Sequence, residues 1–142
     1  MTEETLRETG LAALSAKEPF LEEMGAFLTS HPAQSWCIAA VDVEHFKLYN
    51  EWYGLEQGDR LLDTLAEWLC AYRKHSGCPV GYFGNDDFFL CLPDRDEEVR
   101  GVYRQLQGCV ERNEDGVSFY IAMGICSVDE KVSTDCYTLC NY

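Results

Sequence analysis

No stretch of the sequence stays apolar for the roughly 20 residues that a membrane-spanning helix requires. Nor does it open like a secretion signal: Met1-Thr2-Glu3-Glu4 is acidic, and no short apolar segment follows. Both absences lead to the expectation of a cytoplasmic protein with no membrane contact in this segment. Positive charge is scarce, with 11 Lys and Arg against 25 Asp and Glu, a formal net charge of −14. Such a field repels phosphate backbones and anionic membrane surfaces, so nucleic acid is not expected as a partner. Any anionic ligand must find locally placed donors, aided by metal ions. Low-complexity tracts, long linkers and internal repeats are absent. Among eight cysteines there is no Cys-x-x-Cys pair. The nearest groupings, His75/Cys78 and Cys136/Cys140, have no finger or ribbon spacing for zinc. Cys37, Cys70, Cys91 and Cys126 lie in apolar stretches, where a free thiol behaves as a small hydrophobe. Reduced, structural thiols are expected.

What is present suits one globular domain. The 142 residues are 46% hydrophobic and 25% charged, enough to bury a core without covalent staples. A helix is expected from near Ser15 and Pro19, with Phe20, Leu21, Met24, Phe27 and Leu28 on its apolar face and His31-Pro32 as its stop. Trp36 to Val43 reads as a buried strand, apolar until Asp42. A short helix follows from about His45 to Tyr53, broken at Gly54. A second starts near Asp59, with Leu61, Leu62, Leu65, Trp68, Leu69 and Tyr72 on one face. Two short strands, Val80–Phe83 and Phe88–Leu92, flank a turn at Gly84-Asn85-Asp86-Asp87, whose Gly and Asn tolerate positive φ. Pro93 closes the second strand, and Asp94 with Glu97 marks a helix start. Val99, Val102, Tyr103, Leu106 and Val110 carry that helix. Val117, Phe119, Ile121, Met123 and Ile125 alternate as a half-buried strand, and a trace of helix follows from Ser133.

The order strand, two helices, hairpin, helix, strand predicts an α+β fold. It is a ferredoxin-like β-α-α-β-β-α-β arrangement with an antiparallel-rich sheet and helices packed on one face. Chemistry then falls at the element ends. Asp42 interrupts the first strand at its C-terminal end, and Asp86 and Asp87 sit in the hairpin turn. If strand and hairpin are neighbours, Asp42 and Asp86 converge at the sheet edge, where paired carboxylates suit Mg²⁺ and a triphosphate. The following helix start offers free N–H groups for phosphate, with Lys47 adding charge. Read without any family, these acids are equally well accounted for as turn and strand-end solvation.

Longer patterns add to this. Asp42-Val43-Glu44-His45-Phe46-Lys47, then Asn50-Glu51, Gly54 and Gly58-Asp59, resembles the Asp-Ile-Asp-x-Phe-Lys-x-x-Asn-Asp-x-x-Gly-x-x-x-Gly-Asp run of the GGDEF family. Gly84-Asn85-Asp86-Asp87-Phe88 falls where that family carries its signature hairpin. Thr9-Gly10-Leu11 is similar to an N-terminal family motif, and Ala122-Met123-Gly124-Ile125 to its late strand. The resemblance spans nearly the whole chain and implies a nucleotidyl-cyclase-like palm. Residues 1–142 are then expected to be a single GGDEF-like domain. About 1–33 would be an N-terminal helical segment, and 34–142 a palm core that stops before the last family helix.

Active members join two GTP molecules into cyclic di-GMP across a homodimer. By position, the resemblance implies metal ligation by Asp42, Asp86 and the Val43 carbonyl, with two magnesium ions expected only if GTP binds. It implies phosphate contacts from Phe46 and Lys47, and guanine reading by Asn50 and Asp59. Asp86 and Asp87 are the implied catalytic acids, with Gly84, Asn85 and Phe88 completing the signature hairpin. Activation of the 3′-hydroxyl would rest mainly on the metals and those acids.

The sequence also departs from the family. Asn85 replaces a signature glycine, Asp87 is one methylene shorter than the usual Glu, and Tyr82 stands where many members carry Arg. His75 and Cys78 occupy the positions of the product-inhibition Arg-x-x-Asp. The C-terminal Lys and Arg segment is missing, the sequence ending at Tyr142. The expectation is a degenerate domain of cyclic di-GMP signalling that binds GTP without turnover and regulates a neighbouring domain such as a cyclic di-GMP phosphodiesterase. An active diguanylate cyclase and a non-binding structural or dimerisation domain remain the alternatives.

Overall fold

A computed structural model describes residues 11–111 and 119–128. The expectations for Val117, for a helix from Ser133, and for Thr9, Gly10, Cys136 and Cys140 lie outside the described residues. Among the described residues, four strands and four α-helices follow a single 3₁₀ turn at Leu11–Ala13: α1 Lys17–Ser30, β1 Trp36–Val43, α2 Phe46–Tyr53, α3 Leu55–Ser76, β2 Val80–Tyr82, β3 Phe88–Pro93, α4 Asp96–Val110 and β4 Ile121–Val128. The sheet order is β2-β3-β1-β4, antiparallel at every junction. That is the order a split β-α-β unit produces when the hairpin strand slots between the two parallel strands.

β1 is the axis of the sheet. It pairs with β3 from Trp36↔Pro93 to Val41↔Phe88, and with β4 from Trp36↔Val128 to Val43↔Ile121. Alternate residues serve two cores. Cys37, Ala39, Val41 and Val43 face Leu61, Leu62, Leu65 and Leu69 of α3 and Val102, Leu106 and Val110 of α4. Trp36 and Ile38 join Phe20, Met24 and Leu28 of α1, with Phe89 and Cys91 of β3. The expectation of helices on one face is therefore corrected: α1 covers the second face. The near-continuous apolar run of β1 is the physical reason, since a strand buried on both sides cannot alternate with polar residues.

Further corrections are local. α3 begins at Leu55, not near Asp59, because Gly54 at φ +93 absorbs the whole break in one residue. Leu55 is 73% exposed, so the apolar stripe that marks this helix does not include its first turn. Asp94 does not cap α4. The cap position is Arg95, and Asp94 instead accepts a hydrogen bond from Ser127 Oγ at 2.7 Å, tying the end of β3 to β4. Ile125 is 40% exposed, although the strand pattern places it on the buried side. α1 starts at Lys17, between Ser15 and Pro19 as expected, and Ser15 itself lies just ahead of it. Ser15 forms a parallel bridge to Gly81, and its carbonyl accepts from Tyr82 N–H at 2.9 Å, covering the edge of β2.

The helix ends obey ordinary rules. α3 stops at Gly77 in the left-handed region, with Arg73, Lys74 and His75 in its last turn, and α4 opens with Asp96, Glu97 and Glu98. Both distributions complement the helix dipole. Cys37, Cys78, Cys109 and Cys126 are free thiols. Burial, followed by Asp94 and Cys126, pushes the Cys37 thiol up to about 12, as expected of a core residue.

Because α1 closes one of two cores, it is an integral element. Phe20 is 1% exposed and contacts Phe83 edge-on at 5.8 Å and Phe89 at 6.3 Å. Phe20→Ala is expected to cost about 3–5 kcal/mol, read as a lower urea midpoint with an unchanged slope. A change below about 1 kcal/mol would show that α1 is an appendage to a core that stands without it.

Candidate functional site

The site begins where β1 leaves the sheet. After Val43 the chain turns through His45, a non-glycine residue in the left-handed region at φ 60, and enters α2 at Phe46. That sharp entry sets Phe46, Lys47 and Asn50 on the side of α2 nearest the hairpin. The hairpin comes close because β3 pairs with β1. Its turn is closed by Asp87 N–H to the Gly84 carbonyl and by Phe83 N–H to the Asp87 carbonyl, both at 2.9 Å. Gly84 at φ 104 and Asn85 at φ 50 supply the left-handed backbone. Asn tolerates that conformation better than other side-chain-bearing residues.

Asp86 fastens the hairpin to the strand end: its Oδ2 accepts the Val43 N–H at 2.9 Å. Val43, His45, Phe46, Lys47, Asn50, Asn85 and Asp86 line an open cleft of about 520 Å³. Among these described lining residues, Lys47 alone carries a permanent positive charge. Asp42 and Asp87 stand at the edge of this group. Partial burial, then Asp86, Asp87 and Glu44, raises the Asp42 pKa. Burial, then Asp86, raises that of Asp87. Asp59 is exposed in the second turn of α3 and does not line the cleft; Asp86, Asp87, Asp59 and Asp63 all bear on Tyr82. Phe88 is fully buried beside Tyr82, with ring centres 5.0 Å apart, and belongs to the core.

Asn50 is the least ordinary side chain of the group. Its Oδ1 is buried and has no hydrogen-bond partner among the described residues. Leaving such an acceptor unsatisfied costs about 1–3 kcal/mol, so it requires an explanation. The carboxamide lies against Gly58 of α3: a Cβ there would stand 1.7 Å from Oδ1, 2.9 Å from Cγ and 3.4 Å from Phe46 Cζ. Gly58 therefore has a steric role, leaving room for Asn50 where two helices meet.

Sequence reasoning missed His45, whose place in the cleft follows from its backbone angle and leaves no mark in composition. Among the described residues, no group of three or more His, Cys, Asp and Glu is arranged to hold a metal. The acidic corner offers a carboxylate pair and no closed cage. Magnesium suits such a pair, since it keeps several waters and takes one or two carboxylates along with phosphate oxygens. Far from the cleft, Cys78 is buried beside Cys91, whose hydrogen bond is the main cause of a thiol pKa lowered to about 6.

The antiparallel four-stranded sheet, its helices and the strand-end cleft define a nucleotidyl-cyclase-like palm. The family model for the diguanylate cyclase GGDEF domain matches residues 9–141, and the chain belongs to the GGDEF family, the domain family of cyclic di-GMP signalling. No curated protein matches the sequence significantly. Among solved structures, the GGDEF domain of DgcB from Caulobacter crescentus, in complex with c-di-GMP, is similar at 16% identity and a TM-score of 0.65, over 99% of this chain and 85% of that one. The FimX GGDEF domain from Pseudomonas aeruginosa aligns at 20% identity and a TM-score of 0.65, over 90% of this chain and 85% of that one. The active GGEEF domain of a diguanylate cyclase from Vibrio cholerae aligns at 18% identity and a TM-score of 0.62, covering 82% and 78%. At these identities the likeness is one of fold.

The unneutralised acids set a stability cost. Because folding raises the pKa of Asp42, the native protein binds that proton more tightly than the unfolded chain does. The penalty is fully present above the raised value and is relieved as pH falls through it towards the ordinary carboxylate range. Asp42→Asn, with metal chelated at neutral pH, is expected to stabilise the protein by about 0.5–1 kcal/mol, small because the group is well solvated. That corresponds to about 1–4 °C in Tm. A lower Tm for Asp42→Asn would contradict this electrostatic account.

Proposed function

We propose that this domain binds GTP with magnesium in the cleft and acts as a catalytically impaired regulatory module of cyclic di-GMP signalling. The observation that carries the reading is the buried, unpartnered side-chain oxygen of Asn50, a residue that lines the cleft with Phe46, Lys47, Asn85 and Asp86. A site built to hydrogen-bond a ligand keeps such a group unpaired at a cost, and recovers that cost only when the ligand arrives. In this reading Asn50 meets the guanine edge, with Asp59 reaching it from α3. Phe46 and Lys47 lie along the phosphates. Asp42, Asp86 and the Val43 carbonyl would hold magnesium, which neutralises triphosphate charge and favours ionisation of a nearby hydroxyl.

Three features support the impaired reading. The Asn85 side chain stands in the turn where glycine would let the backbone approach a nucleotide. Asp87 has a shorter reach than glutamate, so the second signature acid is withdrawn from the ligand. With a net charge of −14, and Lys47 the only fixed cation among the described residues lining the cleft, the triphosphate depends on magnesium for neutralisation. Residues 1–142 would then form one such domain, regulating a neighbouring phosphodiesterase domain or a second copy of itself through GTP occupancy.

The test is a calorimetric titration of GTP into the protein with excess Mg²⁺, with ATP as control. GTP is expected to bind and ATP not to, and GTP at about 100 times its Kd should stabilise the fold by about 2.7 kcal/mol. Asp59→Ala should weaken GTP binding at least about tenfold, or about 1.4 kcal/mol. No heat with GTP would remove the binding claim and leave a structural or dimerisation domain. Formation of cyclic di-GMP at high protein concentration would instead identify a working cyclase.

Gly58 provides a check aimed at Asn50 alone. Gly58→Ala is expected to displace the Asn50 carboxamide and weaken GTP binding about tenfold, while the unfolding midpoint changes little because a side chain gives way and the backbone does not. Undiminished binding by Gly58→Ala would remove Asn50 from the nucleotide site.

A further inference from the structure

Tyr82 lies at the end of β2, outside the residues lining the cleft, yet it is tied directly to the signature turn. Its hydroxyl donates to the Asn85 carbonyl at 2.7 Å, and its ring packs on Phe88 at 5.0 Å with the planes tilted by 36°. Its own backbone is anchored twice. The N–H donates to Ser15 O at 2.9 Å, and the residue pairs with Phe88 across the hairpin. The phenol is thus a strut with a fixed base, and it ends on the residue whose φ of 50 is the unusual feature of the turn.

We propose that Tyr82 is a positioning residue that locks the Asn85-Asp86-Asp87 turn in its cleft-facing conformation, through the hydrogen bond from its hydroxyl to the Asn85 carbonyl. A non-glycine residue in the left-handed region is held there only when its surroundings over-determine it. Here the two backbone bonds that close the turn are joined by the Tyr82 donor on one side and the Val43 N–H to Asp86 bond on the other. Release of the first loosens the segment that carries the second. The chemistry of a phenol also suits the place. Partial burial and then Asp86, Asp87, Asp59 and Asp63 raise its pKa, so the group stays protonated and donates without adding charge. A neutral strut adds no cation to the turn, so the charge of its two carboxylates is left for a ligand's counter-ion.

The consequence for nucleotide affinity rests on the GTP-binding reading; the ordering of the turn does not. Tyr82→Phe keeps the ring and its packing, so the fold is retained and only the donor is lost. Amide hydrogen exchange is expected to quicken about three- to tenfold at Asp87, whose N–H closes the turn, while Leu90 and Ile38 keep their rates. Unchanged exchange at Asp87 would overturn the proposal whatever GTP does. Equal acceleration at Leu90 and Ile38 would overturn it too, since that signals global destabilisation. If the unmodified protein binds GTP, Tyr82→Phe should raise the Kd about three- to tenfold, and an unaltered Kd beside a faster Asp87 would confine Tyr82 to ordering the turn and overturn its role in the site. If the unmodified protein shows no heat with GTP, the binding reading fails by itself, and Asp87 exchange still decides whether Tyr82 holds the turn.

Discussion

β1 is paired along both edges and buried on both faces, and this double constraint governs the rest of the domain. A central strand can be covered on both sides only if helices reach both faces, which assigns α3 and α4 to one core and α1 to the other. It also sets where polarity can reappear. Along Trp36–Val43 the only fully polar residue is Asp42, near the end, where the strand emerges from between its neighbours. The cleft lies there because that is where β1 stops being covered, and because β3, its antiparallel partner, delivers the hairpin turn to the same edge.

The corner so formed is electrostatically unbalanced. Burial and then Asp86, Asp87 and Glu44 raise the Asp42 pKa, burial and then Asp86 raise that of Asp87, and no salt bridge offsets them among the described residues. A fold tolerates such an arrangement at some cost to stability, and perturbed acids in a cleft are characteristic of ligand-binding sites. The unpartnered Asn50 oxygen belongs to the same pattern: a local sacrifice in the free protein at the place where a ligand would restore it. Membership of the GGDEF family comes from the sequence and this pair of unsatisfied features from packing.

Several elements are legible in the amino-acid pattern alone. The bounds of β1 follow from an apolar run with a single acid near its end, and the hairpin turn from adjacent Gly84 and Asn85, which can occupy positive φ. Helix faces are legible where large apolar residues recur at helical spacing. Helix starts are not: Leu55 is apolar yet exposed, and a one-residue break at Gly54 leaves no room for the polar loop that usually separates two helices. The role of Asp94 is hidden from local pattern because its partner, Ser127, is 33 residues away along the chain.

The sequence by itself therefore determined the order of elements, the acids at the strand end and turn, and the family, because each is written in local pattern or contiguous motif. Only the tertiary structure decided that α1 closes a second core, that Gly58 is needed for the Asn50 side chain, and that Tyr82 holds the Asn85 carbonyl. It also decided that Asp59 stands in the second turn of α3, apart from the residues lining the cleft. These depend on distances between elements, and distance between elements is set by packing, which no local pattern encodes.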